Sequence, residues 1–182
     1  ILSDKLRPDA ATTLAYFKEQ GVTVKVISGD NAQAAAQVSR RAGVDRADRW
    51  VDLSALPEGG TDWGRMAEQH TVFGRVTPGQ KRALIQGLQA RGHTVAMLGD
   101  GVNDVLALKD ADCSVAMAAG SEAAQHVSQM VLLDSNFDAL PHIVREGRRV
   151  INNIERSASL FLVKNIFSFL VSLVLLFLPA VY

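Results

Sequence analysis

The string Met97-Leu98-Gly99-Asp100-Gly101-Val102-Asn103-Asp104 sets two carboxylates and an amide almost side by side. Oxygen donors so close together suit a hard cation such as Mg²⁺, which usually keeps several waters and shares itself with a phosphate. Asp100 and Asp104 are candidate metal ligands, and Asn103 is a supporting group. Ser28-Gly29-Asp30 adds a hydroxyl and a carboxylate at a strand-to-helix turn, where free backbone N–H groups favour an anion. Lys81 lies one turn into a helix opened by Thr77-Pro78, where its ammonium can reach past the helix end. Each group also has a plainer reading. Asp-Gly is an ordinary turn, Asn103, Asp104, Ser28 and Asp30 are ordinary caps, and most lysines are solvated. From the residues alone both readings stand.

The elements around these residues read as follows. Residues 93–98 form an apolar run typical of a buried strand, and residues 105–111 start a helix. Gly99 and Gly101, flanking Asp100, predict a tight turn with positive φ and close backbone approach. Residues 7–20 are amphipathic, with Leu14 and Phe17 on one face and Gly21 as a stop. Residues 22–27 read as a strand and 32–42 as a helix ending at Gly43. A short edge segment starts at Trp50, a loop covers 57–60, and a short helix covers 62–69. Strands are predicted at 71–76, 113–117 and 130–133, with helical residues at 120–128, and a long helix from about Ala139. Strands alternating with helices predict an α/β fold, a Rossmann-like parallel sheet with helices on both faces. Its strand ends are where ligands bind.

The 182 residues are 48% apolar, enough for one domain with a real core. Lys plus Arg and Asp plus Glu number 19 each, so no general attraction to nucleic acid is implied. The lone Cys113 cannot form an internal disulfide, which fits a reducing compartment. The chain opens at Ile1 without a basic-then-apolar leader, as a piece of a longer protein would. Residues 160–182 are apolar except for Lys164, Asn165, Ser168 and Ser172, and a membrane span needs about 20 such residues. Arg145, Arg148, Arg149 and Arg156 just upstream mark the cytoplasmic side. The expected organisation is a cytoplasmic domain over 1–138, a stalk helix over 139–159 and a transmembrane helix over 160–182.

Gly99-Asp-Gly-Val-Asn-Asp104 resembles the Mg²⁺ loop of P-type ATPases, the ion pumps of the haloacid dehalogenase-like superfamily. Other segments carry the resemblance further. Ser28-Gly29-Asp30 is similar to the family's TGD, with Ser for Thr, and Phe73-Gly-Arg-Val-Thr-Pro78 with Lys81 is similar to the segment bearing its phosphate-contacting lysine. Leu2-Ser-Asp4 and Leu6-Arg7-Pro8 resemble the return into the phosphorylation domain. Val131-Leu-Leu-Asp-Ser-Asn-Phe137 and Arg148-Arg-Val-Ile-Asn-Asn153 resemble the exit into the stalk of the fifth membrane helix. Val105-Leu106 departs from the usual Ala-Pro, and Cys113-Ser-Val-Ala from a common Gly-Ile-Ala pattern.

The resemblance implies an ATP-driven cation pump of bacterial calcium-transporting type, cycling through an aspartyl-phosphate with Mg²⁺ and ATP. Asp100 and Asp104 would serve the metal, and Ser28, Gly29, Asp30, Lys81 and Asn103 the phosphoryl group. Asn165 falls near an ion-coordinating asparagine of Ca²⁺ pumps, while Ser168 stands where an acidic ligand is usual. The parent would be a multi-pass plasma-membrane protein, with residues 1–158 cytoplasmic and nucleotide-binding and actuator domains elsewhere in the same chain. The family's DKTGT nucleophile string does not occur here, so these residues alone are not expected to be phosphorylated. Two alternatives remain: a soluble haloacid dehalogenase-like phosphatase, and a non-catalytic membrane-tethered module.

Overall fold

The protein is described by a computed structural model covering residues 10–56, 60–134 and 136–177. The resemblances at residues 2–8, most of the 57–60 loop, and residues 178–182 lie outside the described residues. Two compact units divide the chain, Ile1–Ala139 and Leu140–Tyr182.

The first unit alternates helices and strands as the pattern requires. It runs α1 (Ala10–Glu19), β1 (Val26–Ile27), α2 (Ala32–Ala42), β2 (Trp50–Asp52), α3 (Trp63–Gln69), β3 (Val72–Gly74) and α4 (Pro78–Ala90). Then come β4 (Ala96–Gly99), α5 (Val105–Asp110), β5 (Cys113–Met117), α6 (Glu122–Val127) and β6 (Met130–Leu132). Every strand pairing is parallel. The strands fall into two three-stranded groups rather than one continuous sheet, ordered β1-β3-β2 and β4-β5-β6. The two strands that lead into the candidate loops, β1 and β4, each stand at the end of their own group. Among the described residues, neither has a partner strand on its outer side, and no ladder joins the halves.

Helix α4 joins the two halves through their cores. Leu84 packs with Leu53, Trp63, Ala67, Phe73 and Val76, while its neighbour Ile85 packs with Val95, Met97, Leu108 and Ala116 on the other side. Leu88, one turn on, touches both clusters. Consecutive apolar positions point about 100° apart on a helix, so one broad apolar face can serve two walls. The start of α4 is fixed by a reciprocal cap: Thr77 accepts the Gln80 N–H, and the Gln80 side chain accepts the Thr77 N–H. The Gln80 amide also donates to the Leu53 and Leu56 carbonyls, which ties α4 to the chain beyond β2.

Among the described residues, the second unit consists of one helix, α7 (Ala139–Phe177), 39 residues long. Pro141 sits in its first turn, where no N–H partner is lost. No break separates the expected stalk from the expected span. Residues 160–177 are exposed and, apart from Lys164, Asn165, Ser168 and Ser172, apolar, and by length and composition the helix can cross a membrane.

Candidate functional site

Strand β1 ends at Ile27 and the chain turns through Ser28-Gly29-Asp30. The Ser28 hydroxyl accepts the Asp30 N–H at 3.1 Å and donates to the Asp30 carboxylate at 3.3 Å. The α2 cap is Asn31, whose side chain accepts the N–H groups of Gln33 and Ala34. Capping therefore does not account for Ser28 or Asp30, and Gly29 and Asp30 are exposed at the strand end. The next turn holds this loop in place. After β3, the Arg75 N–H donates to the Asp30 carbonyl at 2.8 Å and the Val76 N–H to the Ser28 carbonyl at 3.1 Å. Arg75 does this at φ 51°, a left-handed backbone that a non-glycine residue rarely adopts.

The loop after β4 is built differently from the expectation. Neither Gly99 nor Gly101 has positive φ; Gly101 lies at φ −100°. What Gly99 supplies is room, since a Cβ there would sit 2.7 Å from the Asp104 Cβ. The side chain of Asp104 folds back under the turn into that space. One of its oxygens accepts the Gly101 N–H at 3.1 Å, and the other accepts Lys81 Nζ at 2.6 Å. Asp104 makes no side-chain cap to α5.

Lys81 and Asp104 form an interior pair, with side chains only 11% and 9% exposed. The lysine is therefore not a solvated surface residue. An ammonium retains one donor to Asp104 and has two more to offer. Asp100 and Asn103 are exposed beside the pair. Contacts thus link the three segments at one edge: Asp30 and Ser28 to residues 75–76, residues 77–81 on through the start of α4, and Lys81 to Asp104. Asn165 lies on α7, exposed, with Lys164 and Ser168 near it along the helix.

Among the described residues no three His, Cys, Asp or Glu side chains gather as a metal cage. A single exposed carboxylate is still enough protein donor for a Mg²⁺ that is shared with phosphate, and the fixed ammonium beside it suits the phosphate oxygens. Asp100 fits that group, whereas both oxygens of Asp104 already have partners.

Sequence reasoning missed a second set of residues. Gly120, in the turn after β5, lies against the backbone of Asp100, and the Ser121 N–H donates to the Asp100 carbonyl at 2.6 Å. Gly74 lies equally close to Ala32 at the start of α2. A glycine at the end of β3 and another in the turn after β5 were the visible signal, but only the fold shows what each approaches.

Parallel strands, crossover helices and aspartates at the strand ends define the class. Residues 1–112 match the family model of haloacid dehalogenase-like hydrolases, and residues 81–144 match a second model of the same description. The chain belongs to the haloacid dehalogenase-like hydrolase family. It is 55% identical over 173 residues to the calcium-transporting ATPase CtpE of Mycobacterium tuberculosis (strain CDC 1551 / Oshkosh), covering 95% of this chain and 22% of that protein. The probable cation-transporting ATPase exp7 of Streptococcus pneumoniae serotype 4 (strain ATCC BAA-334 / TIGR4) is 46% identical over 171 residues, 94% of this chain and 22% of its own. The chain thus spans about a fifth of the length of these relatives. Among solved structures, a zinc-transporting PIB-type ATPase in an E2.Pi state superposes with TM-score 0.67 at 25% identity, over 85% of this chain and 21% of that one. The catalytic domain of the CPx-ATPase CopB-B gives TM-score 0.60 at 25% identity, over 78% of this chain and 46% of its own.

Proposed function

We propose that this chain is the Mg²⁺- and phosphoryl-contacting part of a P-type cation pump, and that the cargo of the parent protein is Ca²⁺. The observation that carries the reading is the interior Lys81–Asp104 pair set beside exposed Asp100. Phosphoryl transfer asks a protein mainly for positioning and for positive charge on the transferring oxygens. Lys81 supplies that charge from a site where water does not dilute it. Asp104 holds the ammonium in place and keeps the loop folded through Gly101, so its part is played through Lys81 rather than by direct ligation. Asp100 would hold Mg²⁺, which when bound neutralises phosphoryl oxygens. The Ser28 hydroxyl can turn from Asp30 to donate to a phosphoryl oxygen, and the Asn103 amide is a further donor.

The attacking carboxylate would come from a part of the parent outside these residues. ATP, the nucleotide-binding domain and the actuator domain likewise belong to the parent. The names of the relatives support Ca²⁺, and the long apolar helix supports a membrane-embedded parent with residues 1–158 on the cytoplasmic side. Asn165 is a candidate oxygen ligand for the cargo, since polar groups inside a span are costly and face a partner.

The test is phosphoenzyme formation by the full-length parent from labelled ATP across a panel of cations, beside Asp100→Asn. Acid-stable, hydroxylamine-sensitive label that needs Ca²⁺ and falls at least tenfold in the variant is the expected result. Label indifferent to every cation would overturn the cation-pump reading.

A further inference from the structure

The turn that follows β5 makes a hard stop behind Asp100. A Cβ added to Gly120 would overlap the Asp100 carbonyl oxygen and lie 2.9 Å from the Asp100 Cα and Cβ. These are backbone atoms and the root of a side chain, so no flexible tip can move aside. Gly120 is not in the left-handed region. Its glycine identity is therefore explained by the approach and not by a backbone conformation. From the same turn the Ser121 N–H donates to the Asp100 carbonyl. The turn itself is stitched: the Gly120 N–H donates to the Met117 carbonyl at 3.0 Å, and the Gln125 side chain donates to the carbonyls of Ala118 at 3.0 Å and Gly120 at 3.4 Å. By contrast, a Cβ at Gly101, inside the signature loop, would meet nothing nearer than 3.5 Å.

We propose that Gly120 and the Ser121 amide are positioning residues for the metal-holding carboxylate of Asp100, setting its backbone from behind while the loop's own residues leave it free. This rests on the Mg²⁺ role of Asp100 proposed above. Mg²⁺ tolerates little departure from octahedral geometry at about 2.1 Å, so a displacement of a few tenths of an ångström at Asp100 is enough to weaken it.

The experiment is a Mn²⁺ titration of the 182-residue chain in detergent micelles, read as paramagnetic broadening of backbone amide resonances near Asp100. The expected result is wild-type broadening centred on Asp100, lost in Asp100→Asn, and a midpoint raised at least tenfold in Gly120→Ala. The Val95 amide, which reports its bond to Asp112 in the same half of the fold, should keep its shift in Gly120→Ala, so a general collapse is told apart from a moved carboxylate. If Gly120→Ala fails to fold, Ser121→Pro replaces it. Ser121 has φ −68°, which proline accepts; the change removes the N–H and the hydroxyl that caps Ala123, and it sets the ring Cδ against the Asp100 carbonyl. It should shift the midpoint in the same direction. Wild-type chain without broadening at Asp100 would overturn the metal role and this proposal with it. Broadening in the wild type with an unchanged midpoint in the folded variant would overturn the positioning role alone.

Discussion

Lys81 and Asp104 are 23 residues apart in sequence and meet at 2.6 Å in the interior. Breaking such a pair from one side leaves a charge stranded away from water. Asp104→Ala should therefore destabilise the chain by about 3–5 kcal/mol in chemical denaturation. Replacing both partners by apolar residues, Lys81→Met with Asp104→Leu, should recover most of that loss, because a well-packed apolar pair is often neutral or better. Phosphoenzyme in the parent should stay abolished in the double variant. A double variant as unstable as Asp104→Ala would show that the pair contributes more than mutual neutralisation. Residue types made these two candidates legible in the sequence, but not their partnership. Nothing in the spacing of residues 77–81 says that the lysine turns inward. The same limit explains Gly99: the sequence read it as a conformational glycine, whereas it is a spatial one that clears room for Asp104.

At the scale of elements, the start of α4 was the most legible feature, whereas the caps read at Ser28, Asp30 and Asp104 are not made. Thr77-Pro78 with Gln80 gives the start of α4, and Asp62, which accepts the Arg65 N–H, gives the start of α3. These are local interactions between residues a few positions apart, so a local reading finds them. Strand lengths were less legible, since β1 keeps only Val26 and Ile27 of a six-residue apolar alternation. Pairing partners decide where a strand begins, and partners are remote. The division into two three-stranded groups is remote information of the same kind. Helix α4 is tied to α5 by a bond that titrates. The Arg82 guanidinium donates to Asp110 at 2.6 Å, Gln86 adds a second bond at 2.7 Å, and together they hold the Asp110 carboxyl below its usual range. A depressed carboxylate pKa stabilises the fold above the unfolded value, about 3.9, and that contribution fades as pH falls toward the folded value. Thermal melts from pH 5 down to pH 2.5 should therefore show a shallower acid slope in Asp110→Asn than in the wild type. An identical slope would mean the bond does not persist in solution.

For the molecule as a whole, most of what the motifs implied concerns one strand edge, and that edge is present as expected. What the motifs could not say is how a change there would be felt in the apolar segment. Helix α7, whose 39 residues run about 58 Å without a break, is the element that leads into that segment. Leu140 is its buried residue, and Asn165 follows 25 positions later. At 100° per residue the two lie within about 20° of the same meridian, roughly 38 Å apart. An unbroken helix fixes the phase between the two positions, as a shaft fixes two keys cut along it. One alanine inserted after Ser157 would rotate the far key by about 100° while leaving both ends chemically intact. In the parent, cation-dependent transport should be lost with that insertion and kept with Ser157→Ala, measured as ion uptake into vesicles. Transport that survived the insertion would mean that the shaft slips, and that phase along α7 carries no signal.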